Sequence, residues 1–220
     1  MSRLLEPVRA GLLAVLRRPL LILIHLVGNA ALVVLFYLWL GLADRTAGDL
    51  VISAVLLLLI VFGAFWLYGV TLAAFHAPAG PLVFFQGLRR LPKFAPWGLL
   101  IGAVVAAVVW LWPQFPFWLV GAVAVLAILP LASQAAGGGF TGRAAVKILG
   151  SPQYWLAGIL AVVLGLYLPK LLLGWVPETT GLLMQSISLV FRSGLAALLA
   201  VISWLALSAV IGEMGRQPAS

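Results

Sequence analysis

The chain has no cysteine, which excludes disulfides, thiolate metal sites and cysteine nucleophiles together and carries no information on redox compartment. Acidic residues are nearly as scarce, five among 220. They are Glu6, Asp44, Asp49, Glu178 and Glu213, at chain ends or in connecting segments. A carrier coupled to protons or sodium normally places a carboxylate inside the membrane, with backbone carbonyls as an occasional substitute, so the shortage argues against an ion-coupled transporter. Also missing are an H-E-x-x-H zinc motif, a buried aspartate pair and a serine in a Gly-x-Ser-x-Gly elbow. No enzymatic activity is expected, and the sets of catalytic residues and metal ligands are empty. Residues 137–144 faintly echo a phosphate loop, but Arg143 stands where lysine is needed, Ala144 replaces the hydroxyl residue, and no strand precedes them.

What is abundant is apolar. Hydrophobic residues make up 65% of the chain and charged residues 8%, with a mean hydropathy of +1.21, against about 45–50% and about 25% in soluble domains. No soluble fold of this length hides that much apolar surface, and no stretch is polar enough for a separate soluble domain. The expectation is an all-α integral membrane protein with a single membrane domain over residues 1–220. A bilayer core of about 30 Å takes roughly 20 helical residues, with a range of about 17–25. Six runs qualify: 19–41, 50–75, 96–112, 116–136, 152–174 and 193–212. The first follows Arg9, Arg17 and Arg18 but is longer than the apolar core of a signal peptide, about 7–15 residues, and reads as an uncleaved helix. The fifth carries Pro169 before Lys170, where its regular part is expected to end.

Basic residues resist translocation and collect in cytoplasmic segments. With six spans, Arg3, Arg9, Arg17, Arg18, Arg89, Arg90, Lys93, Arg143, Lys147 and Arg216 fall on one side, ten of the thirteen Lys and Arg. Arg45, Lys170 and Arg192 fall on the other, where Asp44, Asp49 and Glu178 match them in number. Both termini are therefore expected in the cytoplasm. Phe36, Tyr37, Trp39 and the aromatic stretch 110–118 mark the outer interface, Tyr154 and Trp155 the inner one. Residues 182–191 are expected to lie along the outer interface before Arg192.

Ahead of three runs the chain repeats a theme: a short amphipathic segment with basic residues, a proline, then a span, at 4–19, 82–96 and 141–152. Leu5, Val8, Leu12 and Val15 or Leu16 form one helical face clear of Arg3, Arg9 and Arg17. Phe85, Leu88 and Leu91 oppose Gln86, Arg89, Arg90 and Lys93, and Ala145, Ile148 and Leu149 oppose Arg143 and Lys147. Proline suits the first turn of the helix that follows. The expected layout is three helical hairpins, each introduced by a short cytoplasmic interfacial helix. Arg9, Arg17, Arg18, Arg89, Arg90, Lys93, Arg143 and Lys147 are the candidate contacts to anionic lipid or to a membrane-protein partner, each worth about 1 kcal/mol near a charged surface. The alternative is that they serve only to orient the helices during insertion. The net charge of +8 is accounted for by this topology, and nucleic acid is not expected as a partner. The hairpin order and the segment Phe84-Phe85-Gln86-Gly87-Leu88-Arg89-Arg90-Leu91-Pro92 resemble those of uncharacterised six-helix bacterial membrane families, which include the membrane domain sometimes fused to glycerophosphodiesterases. The resemblance implies a multi-pass protein of the bacterial cytoplasmic membrane and no catalytic residue; the phosphodiesterase domain itself is absent from this sequence.

Polar groups inside the spans are few. His25 lies about 9 Å into the first helix, Asn29 is one turn further on, and His76 sits where the second helix ends. Imidazoles on neighbouring helices are candidate ligands for haem, a chlorophyll-type pigment or a metal. Against that, His25 and Asn29 can bond to each other or across a helix interface, and no cofactor is the expectation. Pro130, Ser133 and Gln134, ahead of glycines 137–139, mark a candidate solute path or a simple kink. Small residues four apart, Gly98, Gly102 and Ala106 and again Ala157, Ala161 and Gly165, allow helices to approach closely, within one chain or in a homodimer. Three functions follow: a non-enzymatic accessory subunit or scaffold acting through lipid or protein contacts, an uncoupled channel or permease for a small or lipophilic solute, and a haem or pigment binder using His25 and His76.

Overall fold

The computed structural model describes residues 2–42, 46–76, 83–114, 116–137, 142–175 and 181–216. Of these residues 93% are helical, and none is in a strand. The helices are α1 (Ser2–Leu16), α2 (Pro19–Leu40), α3 (Ala47–His76), α4 (Val83–Leu111), α5 (Phe117–Gly137), α6 (Gly142–Leu149), α7 (Pro152–Val162), α8 (Leu168–Gly174) and α9 (Leu182–Arg216). A π-helical turn, Val163–Tyr167, joins α7 to α8. Six helical stretches are long and apolar enough to cross a membrane: Pro19–Leu40, Ala47–Phe75, Gly87–Leu111, Leu119–Gly137, Pro152–Gly174 and Leu182–Gly215. The architecture is that of a multi-pass membrane protein. Pro19 and Pro152 each open their helix, where a missing N–H leaves no bond unmade.

The C-terminal half of α9 is the centre of the packing. Val201, Leu205, Leu207, Ala209, Val210 and Ile211 are buried, and α1, α2, α3, α5, α6 and α7 all touch this helix. Missing side chains permit the closest approaches between backbones. A Cβ on Gly69 of α3 would stand 2.6 Å from Gly87 O of α4, and one on Gly212 of α9 would stand 2.7 Å from Phe75 O of α3. Both contacts lie at the end of the bundle where α3, α5 and α9 finish. At the opposite end Val33 and Leu38 of α2, Val51 and Leu58 of α3, Leu99 and Trp110 of α4, and Leu182 and Val190 of α9 are exposed.

The helix limits depart from the sequence expectation in three places. The third span is not preceded by a separate surface helix: α4 runs unbroken from Val83 through Pro92 and Pro96. The carbonyls these prolines leave unbonded belong to Leu88 and to Pro92 itself, both exposed, so other polar groups can take the place of the lost N–H. Pro169 does not end the fifth span. The Leu168 N–H reaches back five residues to Val163 O, and this wider turn relieves the clash a proline ring makes with the carbonyl four residues earlier. Residues 182–191 are the first three turns of α9 rather than a separate segment, because neither proline nor glycine interrupts them. Arg192 accordingly lies within a helix.

Candidate functional site

The basic residues divide into two groups. Three arginines are tied into the fold, each at a carbonyl in the last turn of another helix, where four C=O groups lack helical partners and the dipole favours a cation. Arg18 Nη1 donates to Ala74 O of α3, and its guanidinium carbon lies 5.1 Å from the centre of the Phe75 ring. Arg90 Nη1 donates to Ala136 O of α5 at 3.2 Å. Arg192, only 7% exposed, donates through Nε to Ser188 O at 3.2 Å and through Nη1 to Leu172 O of α8 at 3.4 Å. The other six candidate contacts, Arg9, Arg17, Arg89, Lys93, Arg143 and Lys147, are exposed. None of the six has an ion pair or hydrogen bond among the described residues. Five of them are carried by α1, α4 and α6 and Arg17 follows the last residue of α1; α1 and α6 both pack on α9.

The polar side chains of α2 and α3 bond to one another and to backbone carbonyls. His25 is 3% exposed, and its Nε2 lies 2.8 Å from Thr71 Oγ1 of α3. The Thr71 hydroxyl also donates to Leu67 O at 3.1 Å. Having given its one hydrogen there, it accepts from His25, so Nε2 carries the imidazole proton. Asn29 Nδ2 donates to the backbone O of His25 at 2.7 Å. The side chain of His76 lies outside the described residues, as do Asp44, Arg45, Glu178, glycines 138 and 139 and the side chains of Arg3, Phe85, Gln86, Trp118 and Arg216. Among the described residues no three His, Asp or Glu side chains group as metal ligands.

Pro130 and Ser133 are buried in α5, and Gln134 lies against Gly215 of α9. Ser133 Oγ is 3.5 Å from Tyr68 OH, whose ring packs 6.0 Å from Trp204 and 5.1 Å from Phe94 between ring centres. Pro130 has no N–H for the carbonyl one turn back, that of Leu126. The hydroxyl of Tyr154, a fully buried side chain of α7, donates to that same oxygen. A polar group orphaned inside an apolar interior is thereby paired.

The two small-residue stripes have different surroundings. Ala157 and Gly165 are buried within the chain, Gly165 against Ser203 and Ala200 of α9. Gly98 meets the ring of Phe65, whereas Gly102 faces open space and Ala106 is exposed.

Sequence reasoning missed the buried place of Arg192 and the roles of Thr71 and Tyr154. A tyrosine in one span and a proline in another are the available signal for the last of these, but their register is set only by tertiary packing. Fold and polar groups together define a helical multi-pass membrane protein with one tightly packed, basic end. No family model matches the chain, and no curated protein or solved structure is similar to it.

Proposed function

We propose that this is a non-enzymatic protein of the bacterial cytoplasmic membrane, with both termini in the cytoplasm, which acts as an accessory subunit or scaffold through contacts at its basic end. The observation that carries this reading is the division of the cations. Arg18, Arg90 and Arg192 are engaged with backbone carbonyls, while six others at the candidate surface are exposed and unpaired among the described residues. The first of the three proposed hairpins is supported by the register of α2 and α3. There the His25–Thr71 and Trp39–Ser53 bonds run in opposite chain directions. In this reading His25, Pro130 and Ser133 serve contacts between helices, Asn29 bonds within its own helix, and none of the four carries solute or cofactor. The test is gentle extraction from the native membrane, mass spectrometry of bound proteins and lipids, and an absorption spectrum. A stoichiometric partner is expected. A solitary protein with measurable solute flux in liposomes would move the assignment to the channel or permease, and a visible absorption band would move it to pigment binding.

A further inference from the structure

We propose that α1 and α6 form a seat for anionic phospholipid headgroups, a proposal that rests on the reading of the basic end as the contact surface. On α1, Gly11 and Val15 are buried, and a Cβ on Gly11 would meet Val210 of α9 at 2.8 Å. A second face carries Leu5, Leu12 and Leu16, all exposed and within about 40° of one another at 3.6 residues per turn. The remaining arc carries Glu6, Arg9 and Leu13, and Arg17 follows directly after the last residue of α1; all four are exposed. The shorter α6 repeats the division: Ala145 and Ile148 are buried, Val146 is 64% exposed, and Arg143 and Lys147 stand one turn apart on the outer side. A helix with one face on protein, one apolar and one basic fits the boundary between acyl chains and headgroups.

Both helices touch α7 as well as α9, which places them around the same end of the bundle. Four exposed cations face two exposed acids there, Glu6 and Glu213, and none of the six is paired within the described residues. The complementary partner is therefore anionic, and the leucines beside the arginines select a lipid phosphate over a soluble acidic surface. A phosphodiester headgroup supplies acceptors that arginine binds with two parallel N–H groups.

The test is native mass spectrometry of the full chain in micelles holding equal amounts of phosphatidylglycerol and phosphatidylcholine with the same acyl chains. Phosphatidylglycerol is expected to be retained preferentially. Each charge removed in the series R9Q, R17Q, R143Q and K147Q should lower that preference about fivefold, the equivalent of about 1 kcal/mol per cation. Lys170→Gln, on α8, should leave it unchanged. If the fourfold variant fails to give a monodisperse peak, the single variants R9Q and R143Q make the same comparison. Equal retention of the two lipids by the wild type, or an undiminished preference in the variants, overturns the seat. A protein partner that still binds the fourfold variant, together with an unchanged lipid preference, overturns the seat and leaves the accessory reading intact. Preferential lipid binding that these substitutions abolish, in a protein with no partner, supports the seat and overturns the accessory reading.

Discussion

The two ends of this bundle are built on different terms. Where α3, α5 and α9 finish, backbones meet through Gly69, Gly87 and Gly212, and Val70, Leu72, Phe75, Leu205 and Ile211 are closed off. At the other end the same helices expose Val51, Leu58, Leu182 and Val190. Lipid tails are as apolar as leucine, so burial of apolar surface does not drive helices together within a bilayer; close packing and hydrogen bonds do. The lesson is that the small residues and polar pairs, rather than the leucines, decide where this chain is a protein core and where it is a surface.

The largest effect separating the two ends is expected from adding side chains to glycines. Gly69→Val pushes a branched side chain against Gly87 O, a backbone atom that cannot rotate away, and should cost at least about 1–3 kcal/mol. Gly102→Ala meets nothing within 4 Å and should be neutral or stabilise by about 0.5–1 kcal/mol through helix propensity. Unfolding midpoints in mixed micelles read both, and equal losses would erase the distinction between the ends. A smaller effect, about 1–2 kcal/mol, is expected for Tyr154→Phe, which leaves Leu126 O without a donor. Pro130→Ala restores an N–H to that carbonyl, so Tyr154→Phe should cost less in the Pro130→Ala background. A cycle showing independent effects would contradict the pairing.

Much of this was legible in the sequence, and the limits of legibility follow the same division. Length and hydropathy located all six stretches, because a continuous apolar run is a local property. The start of α4 and the start of α9 were misplaced. There Pro96 and Arg192 looked like boundaries, yet α4 continues through its two prolines, and α9 continues through an arginine whose donors find carbonyls on its own helix and on a neighbour. Pro169 misled for a related reason, since a π-turn absorbs it. For the candidate site, the sequence named the eight cations but could not divide them. Whether an arginine is free depends on which helix end lies beside it, and that is a fact of packing over separations as large as the 56 residues between Arg18 and Ala74. The partner of His25 was undetermined for the same reason: Thr71 is one polar residue among several on the neighbouring helix until the register of α2 against α3 is known.

That register offers the finest comparison. Side-chain hydrogen bonds join α2 to α3 near both ends, His25 to Thr71 at 2.8 Å towards the packed end and Trp39 Nε1 to Ser53 Oγ, also 2.8 Å, towards the other. They have the same length but not the same surroundings. His25 and Thr71 are both buried, so Thr71→Val leaves an imidazole N–H with no substitute and should cost between about 0.6 kcal/mol, the mean for interhelical bonds in a membrane protein, and about 1.7, the largest such value. Trp39 is the penultimate residue of α2, and at the expected membrane interface water or headgroups would serve its indole N–H, so Ser53→Ala should cost less than about 0.5 kcal/mol. Denaturant titration of the two variants in the same micelles orders them. If Ser53→Ala is the more damaging, the far end is held by protein contacts after all, and the division between a packed end and a lipid-supported one fails at the pair of helices where it is most directly measured.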